Sequence, residues 1–352
     1  MKPLRLLLLL SLGVLLAACG KTPDPEPSPT PDPDPTPTPT TLVKGADISW
    51  VTEMENKGYK FYNAAGQERE CTALMKELGM NAIRLRVWVN PTGGWNGRDD
   101  VLAKAKRAQA LGLKLLIDFH YSDTWADPGH QTVPAAWKGK DAAAMAAAVK
   151  AHTQEVLQAL KGAGVEVAWV QVGNETTQGM LWDSGKVSGQ NAGQFVNYFK
   201  AGREAVKAVY PDAKVILHLD NGWKMETLDW FLGLMKIHSL DYDILGLSLY
   251  PSYWENNAYP DWNTKVKQFI ANLPKLRESY GRPVMLVEFG MPASQPDKAK
   301  AALQYLLENT RGRDYFLGVF YWEPEAEHGR NNYDYGAVAG GKPTAALDPF
   351  AN

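Results

Sequence analysis

Eight short apolar runs, separated by amphipathic stretches rich in Ala and Lys, predict an α/β fold of the (β/α)8 barrel type, also called a TIM barrel. Two further observations favour a closed barrel over an open, doubly wound sheet. No glycine-rich phosphate turn follows the first run, where such a sheet would usually carry one. Ionisable and aromatic residues also gather where the runs end, which is where a barrel keeps its functional face.

The predicted strands are residues 43–48, 82–87, 114–120, 168–172, 214–219, 244–250, 284–288 and 317–322. Helical patterns lie between them, clearest at 68–79, 99–112, 142–161, 192–210, 263–280 and 298–309, and Gly79, Gly112, Gly162 and Gly281 suit helix C-termini.

Taken in order, the first run carries Asp47 near its end. The second, Ile83-Arg84-Leu85-Arg86-Val87-Trp88, puts Arg84, Arg86 and Trp88 on one face by its period of two. Arginines facing a barrel interior are costly unless paired with carboxylates. A structural ion-pair layer is expected at Arg84, and Arg86, nearer the strand end, is expected to keep a reacting carboxylate ionised. The third run ends in Asp118 and His120, followed by a segment holding Trp125 and Asp127. Without a His-Glu-x-x-His helix or a cysteine cluster, that mixture suggests hydrogen bonding to a polyol and no metal.

The fourth run, Trp169-Val170-Gln171-Val172-Gly173-Asn174-Glu175, delivers a carboxylate at a strand tip, badly placed for packing and well placed for chemistry. Asn174 beside it offers a donor and an acceptor to a sugar hydroxyl. His218-Leu219-Asp220-Asn221-Gly222-Trp223 closes the fifth run with the same polar and aromatic character, and Tyr250 closes the sixth. The seventh, Met285-Leu286-Val287-Glu288, delivers a second carboxylate, and the eighth ends in Trp322. Two strand-end glutamates in one barrel are what acid/base-assisted glycoside cleavage requires. Of twelve tryptophans, all but Trp169, Trp230 and Trp262 fall at or just past a predicted strand end. Flat aromatic floors suit the C–H faces of sugar rings. No Gly-x-Ser-x-Gly elbow or Walker loop is present.

The chain has 352 residues, is 45% hydrophobic and 22% charged, and has a formal net charge of −2. That balance offers no basic stripe for nucleic acid. Residues 1–18 read as a signal peptide, a basic start followed by an apolar stretch too short for a comfortable membrane span. Its end, Leu16-Ala17-Ala18-Cys19, resembles a bacterial lipoprotein box, which implies acylation of Cys19. Residues 19–41 are the linker, and from Thr22 to Thr41 it alternates Pro with Asp, Glu, Ser or Thr and should form an extended polyproline II spacer. The domain of 42–352 is then a head held off a membrane at the cell envelope. Cys71, the other cysteine, has no disulfide partner after acylation and reads as a buried apolar residue.

The segments Arg84 to Pro91, Asp118 to Pro128, Gly173-Asn174-Glu175, His218 to Trp223 and Tyr321-Trp322-Glu323-Pro324 closely resemble the endo-β-1,4-galactanases of glycoside hydrolase family 53. The resemblance runs from about Gly45 to Phe350 and implies a (β/α)8 barrel, retaining chemistry, and β-1,4-linked galactan as substrate. It implies Glu175 as acid/base and Glu288 as nucleophile; beside these, Arg86 and Tyr250 are expected to orient Glu288 and Asn174 to bind a hydroxyl of the sugar. Asp47, Trp88, Asp118, His120, Trp125, Asp127, His218, Asp220, Asn221, Trp223 and Trp322 are the expected substrate contacts. The segment Met291-Pro292-Ala293-Ser294-Gln295-Pro296-Asp297 lacks the calcium-binding loop of many bacterial relatives, so no cofactor or metal is expected. A monomer is expected. A clan-related hydrolase of mannan, xylan or glucan would keep the same glutamates, and a non-catalytic glycan-binding lipoprotein would usually have lost one of them.

If Cys19 carries the anchor, Cys19→Ser should move the exported protein from the membrane fraction to the soluble fraction. Fractionation with an antibody against the head reads this, and unchanged membrane retention would refute the anchor.

Overall fold

The structure is a computed structural model that describes residues 41–189, 191–330 and 332–351. The expected signal peptide, Cys19 and the spacer up to residue 40 lie outside the described residues.

Eight parallel strands close into a barrel: β1 (Val43–Asp47), β2 (Ala82–Val87), β3 (Lys114–Phe119), β4 (Trp169–Val172), β5 (Lys214–Leu219), β6 (Ile244–Leu249), β7 (Val284–Phe289) and β8 (Phe316–Trp322). Each pairs with its sequence neighbours, and β1 pairs with β8 to complete the circle, Asp47 lying opposite Trp322. A six-residue helix, Val51–Asn56, follows β1, and the longer helices between the strands are α1 (Cys71–Glu77), α2 (Arg98–Ala110), α3 (Ala142–Gly162), α4 (Gly193–Val209), α5 (Met225–Ile237), α6 (Trp262–Tyr280) and α7 (Pro296–Thr310). Their starts follow local chemistry. Glu70, Asp141 and Asp261 accept from backbone N–H groups at the heads of α1, α3 and α6, and Pro296 opens α7. Cys71 is free and fully buried in α1.

The structure differs from the expected helices in three places, the first being the short helix Val51–Asn56, where none is expected. Residues 68 and 69 belong to a two-residue hairpin strand, so α1 begins later than expected. Helix α5 was not anticipated. It buries Leu228, Phe231, Leu232, Leu234 and Met235 yet exposes Trp230 and Ile237, so its apolar residues do not mark out one face.

Strand alternation divides the molecule into two cores. Outward-facing residues such as Ile83, Leu85, Leu115, Ile117, Leu245 and Leu247 join the helices in the large outer core. A smaller cluster of Val43, Ala82, Leu116, Trp169, Ile216, Ile244, Met285, Val287 and Phe320 fills the barrel floor. Phe320 lies against Gly45, where any Cβ would meet its ring at 2.3 Å. Above this dry floor the next inward positions turn polar: Asp47, Arg84, Asp118, Gln171, His218, Ser248 and Glu288, all buried. The apolar floor thus closes the lower end, and the polar layer carries the chemistry towards the strands' C-terminal ends.

Phe320→Ala should destabilise the barrel by about 3–5 kcal/mol, because the helix ring outside cannot collapse into the vacated floor. Denaturant midpoints of the purified head test this. A loss below about 1 kcal/mol would mean that the floor is not close-packed.

Candidate active site

The centre of the polar layer is Arg84, which is fully buried. Its Nη1 donates to Asp47 Oδ2 at 2.7 Å. Its Nη2 lies 2.9 Å from Asp118 Oδ2, 3.0 Å from Glu288 Oε1, 2.9 Å from Asn174 Oδ1 and 3.1 Å from Gln171 Oε1. Burial alone would lower its pKa, but Asp118, Glu288 and Asp47 hold it above the ordinary value, so it stays charged. One guanidinium therefore gathers groups from β1, β3, β4 and β7.

Glu288 reaches this position through a backbone irregularity. Met285 and Val287 face the barrel floor, so regular alternation would turn Glu288 outward with Leu286. The β6–β7 register slips between Leu247 opposite Leu286 and Ser248 opposite Glu288, and this bulge aims Glu288 inward. Tyr250 donates its hydroxyl to Glu288 Oε2 at 2.9 Å. Gly290 makes room for that ring, since a Cβ there would meet Tyr250 at 2.6 Å.

Glu175 follows a tight turn after β4. Gly173 has φ +82° and no space for a Cβ, and Glu175 itself sits at φ +45°. Gln131 Nε2 donates to Asn174 O at 2.8 Å and holds the turn from the β3 loop. Ser248 donates to Glu175 Oε1 at 2.6 Å. Ser248 also lies opposite Glu288 in the strand register, so β6 carries the donor to Glu175 beside the residue that carries the second carboxyl. Behind it, His218 Nε2 lies 2.8 Å from Ser248 Oγ, and His218 Nδ1 accepts from Glu175 N at 3.2 Å. Burial, then Arg84 and His120, push His218 well below its ordinary pKa, so it is neutral with its proton on Nε2. The direction of donation runs His218 to Ser248 to Glu175.

The two carboxyls are not equivalent. Burial raises both, and Glu288 and Asp220 raise Glu175 further, opposed by the Ser248 hydroxyl alone. Glu288 is pulled back down by Arg84 and by Tyr250. Glu288 is pushed up to about 7 and Glu175 further above the ordinary carboxylate range. Glu175 is therefore the better holder of a proton and Glu288 the readier to carry charge, an arrangement suited to one acid and one nucleophile or base.

The expected site residues fall into three groups. Asp127, Asp220, Asn221 and Trp223 line, with Glu175 and Tyr250, a groove of about 550 Å³. Trp88, Trp125 and Trp322 are partly exposed and, with the buried Trp50, surround the Arg86 guanidinium at 4.4 to 5.9 Å from their ring centroids. His120 stands beside this box, 3.0 Å from Asp118 Oδ2 and in edge contact with Trp88.

Asp47, Asp118 and His218 require correction as sugar contacts. All three are fully buried beneath the carboxyls, where they hold Arg84 and the Glu175 turn. Asn174 is also largely committed, its Oδ1 to Arg84 and Gln171 and its Nδ2 to Ala126 O. Trp223 has Lys224 and Lys265 ammonium groups 5.1 and 5.2 Å from its ring centroid.

Arg86 is corrected too. It pairs with Glu323, which also accepts from Trp50 N, and it does not orient Glu288. Nearness to a strand end is not nearness to the carboxyls, because barrel strands are tilted and staggered. Arg84, a layer deeper on β2, is the residue that spans to β7. Ser248, Gln171 and Glu323 escaped the sequence reading. Their signal was present in the alternation of β4 and β6, which turns Gln171 and Ser248 inward.

Among the described residues no group of three or more His, Cys, Asp or Glu side chains is arranged to hold a metal.

The sequence profile described as Glycosyl hydrolase family 53 matches residues 43–345. The arabinogalactan endo-beta-1,4-galactanase of Humicola insolens is 34% identical over 315 residues, covering 82% of this chain and 91% of that protein. The probable arabinogalactan endo-beta-1,4-galactanase A of Neosartorya fischeri is 32% identical over 305 residues, 80% of this chain and 83% of that one. Among solved structures, a fungal beta-1,4-galactanase superposes with a TM-score of 0.79 at 30% identity, covering 88% of this chain and 99% of its own. The family 53 catalytic domain of Ignisphaera aggregans also gives 0.79, at 26% identity, covering 89% and 96%.

Activity should be bell-shaped in pH, falling at low pH as Glu288 gains a proton and at high pH as Glu175 loses one. The Ser248 hydroxyl lowers the Glu175 pKa, so Ser248→Ala should move the alkaline limb to higher pH and leave the acid limb in place. A kcat/KM–pH profile that shifts its acid limb instead would contradict this assignment of the two carboxyls.

Proposed function

The chain belongs to glycosyl hydrolase family 53 and is a glycoside hydrolase, and from that premise we propose that it cleaves β-1,4-galactan internally, with retention, by double displacement. The observation that carries the mechanism is the unequal support of the two glutamates. Glu288 has a cation and a phenol; Glu175 has one hydroxyl and opens onto the groove.

In the first step Glu175 gives its proton to the glycosidic oxygen while a Glu288 carboxylate oxygen bonds to the anomeric carbon. The carbon–oxygen bond breaks and the leaving sugar departs along the groove that Glu175, Asp220 and Asn221 line. Glu175, now a carboxylate, takes a proton from water. That water attacks the anomeric carbon and frees Glu288.

The proton cycle suits the surroundings. Negative charge on Glu175 is disfavoured by Glu288 and Asp220. Once Glu288 is bound to sugar its charge is gone, and Glu175 can ionise to act as a base. Arg84 stays charged throughout and stabilises Glu288 as leaving group.

Galactan as substrate is supported by the named activity of the relatives, which cover most of the chain. The head would work tethered at the cell envelope by an acylated Cys19 and a proline-rich stalk, a reading supported by the sequence of residues 1–41.

Galactan, mannan, xylan and glucan incubated separately with the enzyme should show cleavage of galactan, with long intermediate products early in the reaction. Monomer alone would overturn internal cleavage, and preference for another glycan would overturn the substrate. Glu288→Ala should be inactive and, with azide and an activated galactoside, give a glycosyl azide of inverted configuration. Full hydrolysis by that variant would refute the nucleophile.

A further inference from the structure

Beyond the catalytic groove, on the same face of the barrel, the loop after β6 leaves two adjacent large aromatics in solvent, Tyr253 at 57% and Trp254 at 49% exposure. They are not loosely held. Tyr253 stacks on Tyr335 from the loop after β8, centroids 5.4 Å apart and planes 2° from parallel. Trp254 stands edge-on to Tyr259 at 4.7 Å, and its backbone N–H donates to the Tyr335 hydroxyl at 2.8 Å.

The tip of the same loop is a closed turn. Glu255 and Ala258 exchange both backbone hydrogen bonds, and Asn256 and Asn257 between them have φ of +51° and +60°. Two consecutive left-handed residues make the tight turn of a hairpin, which asparagine tolerates well. Lys265 anchors the base of the turn through Glu255 at 3.1 Å. Single exposed aromatics need no explanation, whereas a rigid, contiguous and solvent-facing set calls for an occupant.

Tyr253, Trp254, Tyr259 and Tyr335 line a cavity of about 450 Å³ whose edges carry Asn332 and Asp334. Flat apolar rings with hydrogen-bonding groups at the rim match a pyranose, with its C–H face and equatorial or axial hydroxyls. The cavity adjoins the catalytic groove, since Tyr253 lines both. The loops after β6 and β8 meet here through the Tyr253–Tyr335 stack.

We propose that this aromatic shelf is a distal subsite that holds sugar units of the polysaccharide beyond those in the catalytic groove. The proposal rests on the galactan reading above for the identity of the sugar. The occupant is the substrate chain itself, since a polymer leaving the groove past Tyr253 meets Trp254 next. A shelf of this kind adds affinity for long chains and nothing for oligomers that end inside the groove.

The full-length enzyme is compared with Trp254→Ala and Trp254→Phe, on the polymer and on galactotetraose. Trp254→Ala should raise KM for galactan by about tenfold, the loss of one good stacking contact, with kcat on galactotetraose unchanged. Trp254→Phe should recover most of the polymer KM. In the inactive Glu288→Gln background, long galactan oligomers should lose affinity with Trp254→Ala while galactotetraose does not.

Equal polymer KM and equal oligomer affinity in wild type and Trp254→Ala would overturn the subsite, as would a loss shared by short and long substrates alike. Should wild type cleave a different β-1,4-glycan and leave galactan intact, the substrate reading falls. The same long-against-short comparison on that glycan then decides the shelf.

Discussion

Everything in the active face depends on one buried cation. Arg84 has no solvent and so must find its anions inside the barrel: Asp47, Asp118 and Glu288, with the amide oxygens of Asn174 and Gln171 completing its shell. A buried guanidinium without these partners would cost several kcal/mol, and three carboxylates without the guanidinium would cost more. The arrangement therefore holds strands β1, β3, β4 and β7 in one relation to β2. The same contacts that make the charge tolerable fix the position of the Glu288 carboxyl.

The cluster is also overloaded with negative charge, and that imbalance is useful. Three carboxylates share one cation, so Glu288 is not pinned as a very weak base; burial, Asp118 and Asp47 push its pKa up while Arg84 and Tyr250 pull it down. Glu175, without a cation, rises further and keeps the proton. The division of labour between two chemically identical side chains is thus set by who their neighbours are. Ser248 donates to Glu175 alone, although in the strand register it lies opposite Glu288.

A second cation organises the aromatic side. Arg86 sits among four tryptophans and pairs with Glu323, so these rings are held by a charge among them and not by packing alone. Glu325, fully buried beside Glu323, is pushed well above the ordinary carboxylate range by burial and by that neighbour, and it stands protonated. Burying a charged pair under aromatic rings is expensive and rigid.

Much of this was legible in the chain. The eight strands, the barrel, the placement of Glu175 and Glu288 at strand ends and the crowding of tryptophans there all follow from hydrophobic period and local composition, which are properties of short segments. Tertiary structure decided what depends on relative height and on neighbours far apart in sequence. Position along β2 suggested Arg86 as the partner of Glu288, whereas the stagger of the barrel made it Arg84. Alternation along β7 would have faced Glu288 away from the centre, and a single register slip against β6 turned it inward. Asp118 and His218 carried the look of sugar ligands and proved to be the buried supports of other groups. The sequence by itself determined which residues could do chemistry here, because residue type and period are local; the closed, sheared barrel determined which of them meet, because only closure brings β2, β4, β6 and β7 to one point.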